Sequence, residues 1–269
     1  MEIYAGRQGV TDRHAEVAYE AIAPVYDSFT AHHDYETRIA MLLALAAEHG
    51  LRRGASRVLD VGCGTGKSFT PLLDRGWEVT ACDISPSMAA LARERAGDRV
   101  RIEVADMREL PVFGSFDVGL CIDDAVNYLH SADELATTLR AVAANLEPDG
   151  LLIFDSNTLA VYRTFFAEHL EVEADGMRMT WEGHGDGNPR PGAIAEASFS
   201  FESLTGGGPT APPEVHRQRH HPEPEVRATI TAAGLELTAV YGHGPDGVPC
   251  QPMSEDDHTK AIYVVRKGT

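Results

Sequence analysis

The sequence predicts an α/β fold built on a doubly wound parallel sheet, and three observations predict it. Apolar, strand-like runs alternate with helical segments of about ten to fifteen residues, which is the pattern of repeated βαβ units. The first run ends at Asp60 and continues into glycines at positions 62, 64 and 66, a turn that suits a strand-to-helix connection over a ligand. Near the C terminus, residues 235–241 and 261–265 are strand-like with no helical segment between them, so they can pair as an antiparallel hairpin.

The other helices and strands are predicted from the periodicity of apolar residues and from capping residues. Ser85 before Pro86 is an N-cap followed by proline at the first helical position, and Ser131 with Glu134 forms a capping box. A Pro-Asp-Gly turn at 148–150 separates the last of these helices from the fifth strand. The predicted helices are residues 13–23, 34–48, 67–75, 86–96 and 131–145, and the predicted strands are residues 58–60, 77–82, 99–104, 116–122 and 151–154.

Residues 159–221 interrupt this βα rhythm. A helix-like start at 158–169 leads to strand-like pieces at 177–182, 193–202 and 214–221, joined by turns rich in glycine and proline. We interpret this section as an antiparallel β cap over the carboxyl edge of the sheet, although a surface excursion without a catalytic part is the alternative. The predicted division is therefore an N-terminal helical lid at 1–50, a core at 51–158 and 222–269, and a cap at 159–221.

Composition excludes several classes of partner. The chain has 269 residues and a formal net charge of −18, so DNA, RNA and anionic membranes would be repelled over most of the surface. The start of the chain lacks a basic-then-apolar leader, and no run approaches the ~18 apolar residues of a membrane helix. We expect a cytoplasmic protein with a small-molecule partner, and the sequence leaves a homodimer open. The twelve histidines show no convincing ligand spacing, so no metal is expected.

Two classes of glycine loop do not fit residues 60–68. The dinucleotide fingerprint needs glycine at position 67, where the chain has Lys67. The tail Gly66-Lys67-Ser68 matches a phosphate-binding P-loop, but the first glycine of that motif would fall on Val61. Lys67 is then an ordinary solvated side chain, and a chance cluster of glycines is the remaining alternative to a nucleoside site.

The remaining pattern is acid-x-G-x-G-x-G beginning at Asp60, followed by a second strand-like run that ends in Asp83. This pattern resembles class I S-adenosylmethionine-dependent methyltransferases, strongly over residues 50–157 and by topology over residues 223–266. The resemblance implies a seven-stranded sheet of order 3-2-1-4-5-7-6 with strand 7 antiparallel, here combined with the antiparallel β cap insertion.

The resemblance also implies which residues hold the cofactor, S-adenosyl-L-methionine, which becomes S-adenosyl-L-homocysteine. Asp60, Gly62 and Gly64 would hold the methionine half, and Asp83 would bind both ribose hydroxyls. Tyr26 lies in a segment like the lid of small-molecule methyltransferases, where a tyrosine closes over the cofactor carboxylate; packing between two helices is its alternative role. The adenine ring would lie between Ile84 and Met107, with Asp106 accepting its amino hydrogen.

Residues 122–128 follow the fourth strand, where the family places the sulfonium and the incoming acceptor. The D/N-P-P-Y box of enzymes that methylate nucleobase amines is absent there. We assign Asp123 to the cofactor side and Asp124 to catalysis, as a base or as an orienting group. In the cap, His216, Gln218 and His220 lie on one face of an alternating segment; either histidine could act as a base if that face points inward, and they are solvated if it points outward.

The sequence therefore predicts a methyltransferase that modifies a small molecule, preferably an amine of a bacterial secondary metabolite such as an antibiotic. An acidic pocket would favour a cationic or amino-bearing acceptor. Three alternatives stay open: O-methylation of a phenol, hydroxyl or carboxylate; aminocarboxypropyl transfer from the same cofactor; and a domain that binds the cofactor without turnover.

Overall fold

The structure is a computed structural model that describes residues 14–207, 210–244 and 247–268. Within these ranges the chain forms one mixed eight-stranded sheet, flanked by helices, and a separate four-stranded antiparallel sheet. No helix in the described ranges is both long and apolar enough to cross a membrane.

The large sheet has the predicted arrangement, with one addition. Its strands are β1 (Arg57–Val61), β2 (Glu78–Asp83), β3 (Arg101–Val104), β4 (Phe116–Cys121), β5 (Leu146–Asn157), β10 (Leu235–His243), β11 (Pro249–Cys250) and β12 (Lys260–Lys267). Their order is β3-β2-β1-β4-β5-β12-β10-β11, with β12 antiparallel to both of its neighbours. The predicted order 3-2-1-4-5-7-6 is confirmed, and β11 adds a two-residue edge strand.

The interior strands are buried on both faces, as parallel strands covered by helices must be. All six residues of β4 are buried. Along β5 the side chains alternate, so that Leu151 and Ile153 join one core cluster while Leu152 and Phe154 join the other. This burial fixes the register of the sheet, because a slip of one residue would exchange the two faces.

The helices are α1 (His14–Ile22), α2 (Tyr26–Phe29), α3 (Tyr35–Glu48), α4 (Thr70–Asp74), α5 (Pro86–Ala96), α6 (Ala132–Ala144), α7 (Leu159–Arg163) and α8 (Glu223–Ala232). Both predicted serine caps form: the Ser85 hydroxyl accepts from Met88 N at 3.1 Å, and the Ser131 hydroxyl accepts from Glu134 N at 3.1 Å. Loss of such a cap costs about 1 kcal/mol. The cap of Ser85 also fixes the start of α5 directly beside Asp83.

The second sheet contains β6 (His169–Ala174), β7 (Met177–Gly183), β8 (Ile194–Ser203) and β9 (Ala211–Arg219), in that order and antiparallel throughout. Met179, Trp181 and Phe199 from one face of this sheet pack with Ile22 and Val25 of the N-terminal segment in a third buried cluster. All four strands lie within residues 159–221. The division into lid, core and cap stays a prediction.

Several local predictions are wrong. Residues 148–150 do not form a separate turn but lie inside β5, where Asp149 adopts a left-handed φ of 61° and interrupts the register without ending the strand. The helix expected at 158–169 ends at Arg163, and His169–Ala174 pairs with β7 as an exposed edge strand. The helix expected from residue 67 begins only at Thr70. Helix α8 was not expected at all; Pro222 at its N-cap and acidic residues in its first turn were the available signal.

Candidate active site

Two adjoining cavities open at the carboxyl ends of β1, β2, β4 and β5, where ligands bind in open α/β sheets. The first, called here the cofactor cleft, is lined by the glycine loop, the ends of β2 and β3, and residues Tyr26, Asp83, Ile84, Asp106, Met107 and Asp123. The second, the acceptor cavity, is lined by residues of the four-stranded sheet, of α3, of the N-terminal segment and of residues 161–166, and has a volume of about 690 Å³. The cavities share Tyr19, Tyr26, Tyr128 and Asp123.

The glycine loop forms the floor of the cofactor cleft. Two of its positions require glycine, because a side chain would not fit there. Gly62 has φ 75°, and a Cβ at that position would lie 3.2 Å from the Cβ of Ala125. Gly66 has φ 84°, and a Cβ there would meet the Phe69 ring at 2.3 Å. The sharp turn places Gly62 N and Cys63 N on the carbonyl oxygen of Cys82, at 2.8 and 3.0 Å, which joins the ends of β1 and β2.

Asp60 lies beneath the loop with an incomplete set of hydrogen bonds. The Ser68 hydroxyl donates to its Oδ2 at 2.6 Å, while its Oδ1 is buried and has no partner. Burial raises the pKa of Asp60 to about 7, although the Ser68 contact opposes the rise. An unpartnered buried carboxylate oxygen is costly unless a ligand or water satisfies it. Asp60 is therefore suited to a cationic group or to a water held by one.

Asp83 ends β2 with its carboxylate held by main-chain donors. Gly64 N donates to Oδ2 at 2.8 Å and Ser85 N donates to Oδ1 at 2.9 Å. Burial raises the pKa of Asp83 to about 6 against the opposing effect of these bonds. Each carboxylate oxygen has two lone pairs, so both can still accept a hydrogen bond from a ligand hydroxyl.

Asp106 is engaged differently from the expectation of a free acceptor. Its carboxylate accepts from the main chain of Arg108 at 2.9 Å and from the guanidinium of the same residue at 2.7 Å. Arg108 also reaches Glu134 at 3.1 Å. The structure places Asp106 in the cleft beside Met107, but part of its accepting capacity is used locally.

The turn after β4 carries two consecutive left-handed residues, Asp123 with φ 60° and Asp124 with φ 55°. Neither is glycine, and left-handed backbone costs roughly 1–2 kcal/mol for such residues. The turn is held by Asp155 on β5, whose two carboxylate oxygens accept from Asp123 N at 3.0 Å and Asp124 N at 2.7 Å. The strain thus aims two neighbouring carboxylates into the site.

Two cations share these three carboxylates. Arg38 of α3 pairs with Asp123 and, at 3.3 Å, with Asp155. Lys260 of β12 lies 2.6 Å from Asp124 Oδ1 and 3.3 Å from Asp155 Oδ1. With every group ionised, this five-residue cluster carries one net negative charge, at the boundary between the two cavities.

The two aspartates of the turn have different electrostatic environments. Burial raises the pKa of Asp124, with Lys260 opposing. Burial acts in the same direction on Asp123, but Arg38, Lys260 and the Tyr35 hydroxyl, which donates at 2.7 Å, hold its pKa below the ordinary value. Asp124 is the better proton acceptor of the two, and Asp123 is the more firmly ionised.

Aromatic side chains form much of the wall of the acceptor cavity. Trp181 stacks on Phe165 with ring centroids 4.4 Å apart, and Phe29 meets Phe199 edge to face at 4.9 Å. Tyr19 lies 5.2 Å from Tyr128 at the boundary with the cofactor cleft. Such a wall excludes water and can attract a cation through the faces of its rings.

Two of the alternating residues of β9 point inward. His216 and Gln218 are buried and line the acceptor cavity. His216 Nδ1 lies 2.8 Å from the Tyr128 hydroxyl, and its Nε2 is buried with no partner. Burial lowers the pKa of His216 to about 4, so the ring is neutral near pH 7. The Gln218 amide donates to Asp124 Oδ2 at 2.5 Å.

His220 does not join this group. It is buried, but it lines a separate cavity formed with residues 184–190, and its Nε2 lies 3.0 Å from Glu255. Its Nδ1 faces Gly192 N at 3.2 Å. With both ring nitrogens engaged away from Asp124 and His216, His220 has no contact that supports the predicted catalytic role.

Asn127 connects the turn after β4 to β5, to α7 and to β9. Its Nδ2 donates to the Tyr162 hydroxyl at 3.0 Å and to Arg219 O at 2.8 Å, while its Oδ1 accepts from Asn157 N at 2.9 Å. The Asn157 amide in turn donates to Gln218 Oε1 at 2.9 Å. This chain of amides holds Gln218 with its donor end on Asp124.

Sequence reasoning missed four residues of the site: Arg38, Asp155, Gln218 and Lys260. Asp155 had a usable signal, since it lies at a strand end as Asp60 and Asp83 do. Lys260 is one of only three lysines in the chain. Arg38 lies 85 positions from Asp123, and no local pattern links the two. Within the part of the chain that the structure describes, no three histidine, cysteine or acidic residues are placed to hold a metal ion.

Comparisons with known proteins agree with this geometry. Residues 58–150 match the family model described as a methyltransferase domain. A putative methyltransferase of Geobacillus sp. (strain WCH70) is 30% identical over 260 residues, which is 93% of this chain and 100% of the relative. The dTDP-3-amino-3,6-dideoxy-alpha-D-glucopyranose N,N-dimethyltransferase of Streptomyces fradiae is 30% identical over 222 residues, covering 80% of this chain and 82% of the relative.

Among solved structures, an S-adenosylmethionine-dependent methyltransferase from Clostridium acetobutylicum ATCC 824 superposes with a TM-score of 0.75 at 22% identity, over 93% of this chain and 99% of that one. This likeness confirms the predicted fold. The curated relatives extend over most of the chain and carry the family itself. The chain belongs to the class I S-adenosylmethionine-dependent methyltransferases, and S-adenosylmethionine is its cofactor.

Proposed function

We propose that this enzyme transfers a methyl group from S-adenosylmethionine to an amine nitrogen of a small organic molecule held in the acceptor cavity. The observation that carries the proposal is the boundary between the cavities, where an aromatic wall meets a buried cluster with one more carboxylate than cations. Aromatic faces and excess negative charge both favour an amino-bearing acceptor over an anionic one. The relative from Streptomyces fradiae, named for an amino sugar, supports the same class of acceptor.

The cofactor half of the site fits the parts of S-adenosylmethionine. The unpartnered Oδ1 of Asp60 suits the amino group, directly or through a water, and the open turn at Gly62 and Gly64 leaves room for the methionine chain. Asp83 would accept from the ribose hydroxyls. Ile84 and Met107 would enclose the adenine, with the remaining accepting capacity of Asp106 toward its amino group. Tyr26 would close the methionine end, and Asp123 would present its firmly held negative charge to the sulfonium.

The chemistry of the step determines what the acceptor half must do. Bound S-adenosylmethionine supplies a methyl group on a positively charged sulfur. The chain must bring the nitrogen lone pair in line with that methyl group and must exclude water. These two effects supply most of the rate enhancement. Tyr19, Tyr26 and Tyr128 surround the passage between the cavities and would position the nitrogen there.

An acceptor that arrives as an ammonium ion must first lose a proton. Asp124 is the best-placed acceptor for it, because burial raises its pKa while Gln218 and Lys260 fix the direction of its two oxygens. Neutral His216 would bind a polar group of the acceptor through its unpartnered Nε2. We propose no catalytic role for His220, because it lies in another cavity.

The amine assignment is tested by product analysis. The purified enzyme is incubated with S-adenosylmethionine and a matched panel of amino sugars, amino alcohols, phenols and carboxylic acids, and S-adenosylhomocysteine release is measured. We expect release with amines, an added mass of one methyl group per transfer, and NMR signals that place the methyl on nitrogen. Methylation of oxygen only, transfer of an aminocarboxypropyl group, or no product with any amine would contradict the proposal. Amines that resemble tailored secondary metabolites are the first to test.

A further inference from the structure

Lys67 belongs to the Gly66-Lys67-Ser68 tail that resembles a P-loop, and the structure does not leave it as a solvated side chain. Its Nζ donates to the main-chain oxygen of Thr30 at 2.9 Å and to the hydroxyl of the same residue at 3.3 Å. It also lies 5.5 Å from the centre of the Tyr35 ring. The side chain therefore joins the loop to the residue that follows α2, and it lines the cofactor cleft.

The partners of this ammonium group are all uncharged. Among the described residues, no carboxylate lies within ion-pair distance of Lys67 Nζ. The other cations near the cleft are neutralised: Arg108 pairs with Asp106 and Glu134, and Arg95 pairs with Asp27. An ammonium group has three donors, and two of those of Lys67 are directed to one threonine. A cation that lines a ligand cleft without a carboxylate partner is suited to an anionic ligand group.

The cofactor brings one such group, the carboxylate of its amino-acid end. The neighbouring residue Ser68 donates to Asp60, whose unpartnered oxygen suits the amino group of that same end. Tyr26 begins the short helix α2, and Thr30, which Lys67 contacts, immediately follows that helix. The segment from Asp60 to Lys67 thus carries one carboxylate and one ammonium group, and their charges are complementary to the two charges of an amino acid.

We propose that Lys67 binds the carboxylate of S-adenosylmethionine and so makes the cofactor cleft selective for a nucleoside that carries an amino-acid tail. The inference deepens the cofactor half of the proposed function and rests on it, but it does not depend on which acceptor is methylated.

The test compares two ligands by calorimetry on wild-type protein and on Lys67→Met. S-adenosylhomocysteine carries the amino-acid tail, whereas 5′-methylthioadenosine has the same nucleoside thioether without it. We expect Lys67→Met to lower the affinity for S-adenosylhomocysteine by about tenfold, the effect of a lost charge-assisted contact of ~1.4 kcal/mol, and to change that for 5′-methylthioadenosine less than twofold. Added salt should weaken the binding of S-adenosylhomocysteine to the wild-type protein more than the binding of 5′-methylthioadenosine.

Lys267→Met is the matched control, because Lys267 also donates to a main-chain oxygen, that of Leu146 at 2.6 Å, and its loss removes the same charge. Lys267→Met should change the affinity for neither ligand. Lys67→Arg should keep most of the affinity for S-adenosylhomocysteine that Lys67→Met loses. Equal losses for both ligands would overturn the proposal in favour of a purely structural hold on Thr30. Unchanged affinity for S-adenosylhomocysteine would also overturn it. Wild-type protein that bound 5′-methylthioadenosine but not S-adenosylhomocysteine would refute this inference, and failure to bind either would refute the cofactor half of the proposed function as well.

Discussion

Two buried aspartates, Asp117 and Asp155, make similar contacts at opposite ends of two neighbouring strands of the large sheet. Asp117 at the start of β4 accepts from Ser56 N at 2.9 Å and Arg57 N at 3.0 Å, and it pairs with Arg52. Asp155 near the end of β5 accepts from two consecutive main-chain donors as well, and it pairs with an arginine and a lysine. Each side chain is 3% exposed.

The difference lies in the backbone that each carboxylate holds. Asp117 fixes the start of β1, where extended backbone needs no special support. Asp155 holds two left-handed aspartates whose side chains project into the candidate site. Asp117 therefore stabilises the amino ends of the strands, and Asp155 maintains a strained turn at the carboxyl ends, where the candidate site lies. We therefore propose that Asp117 serves stability and Asp155 serves function, because of where each lies and although their contacts are similar.

The largest effect should come from Asp155→Asn. The amide keeps the shape of the side chain but loses charge and replaces one accepting oxygen with a donor that faces main-chain N–H groups. We expect turnover of the amine identified by product analysis to fall by about a hundredfold or more, equivalent to ~2.7 kcal/mol. Affinity for S-adenosylhomocysteine should stay within about threefold, because Asp155 reaches the cofactor cleft only through Asp123, whose proposed partner is the sulfonium that this product lacks. Steady-state kinetics and calorimetry measure the two quantities.

Asp117→Asn is the control for that experiment. It should lower the free energy of unfolding by about 2 kcal/mol, since a buried charged acceptor loses contacts, and leave turnover per folded molecule within twofold. Chemical denaturation of both variants provides the comparison. Equal losses of turnover in the two variants would mean that Asp155 acts only through stability.

A smaller effect, on binding, is expected from Asp83, a third buried carboxylate held by two main-chain donors. Burial raises its pKa to about 6, so below that pH the free enzyme carries a protonated group that accepts fewer hydrogen bonds. Affinity for S-adenosylhomocysteine should be level above pH 8 and fall as pH drops toward 5, by at most tenfold per pH unit for one proton. The pKa of Asp60 is also raised, to about 7, so its protonation contributes to the loss of affinity in the upper part of this pH range.

Asp83→Asn sharpens the assignment. At pH 8 the variant should bind S-adenosylhomocysteine about tenfold more weakly, because hydrogen bonds to a charged acceptor are lost. It should also lack the part of the pH dependence centred near pH 6, while the part from Asp60 remains. A pH profile identical to that of wild type would show that Asp83 is not the titrating group.

Much of this site could be predicted because strand ends in a parallel sheet converge, so acids that follow apolar runs meet at one edge. Asp60, Asp83 and Asp124 were found in that way. The partners that tune them could not be found, because Arg38 and Lys260 lie on α3 and β12 and reach the turn only through the fold. The left-handed turn could not be predicted either, since it depends on main-chain hydrogen bonds to Asp155 on another strand.

Prediction of the fold from the sequence was limited in the same way. Buried strands with continuous apolar character and helices with serine caps were predicted to within a few residues. The edge strand β6 and the kinked start of β5 depend on pairing with β7 and β4, which local sequence does not encode. His216 and His220 share one face of the alternating pattern, yet only tertiary packing decides that one lines the acceptor cavity and the other a separate pocket.

We propose that the carboxyl edge of the sheet has two halves, one for the cofactor and one for the acceptor, and that Asp124 acts in the second. Asp124→Asn tests it most directly, by measuring S-adenosylhomocysteine affinity and turnover of the same amine in one preparation. We predict affinity within about twofold of wild type and turnover lower by about a hundredfold, as for loss of a general base. Unchanged turnover, or an affinity loss large enough to account for the whole fall in turnover, would contradict the account.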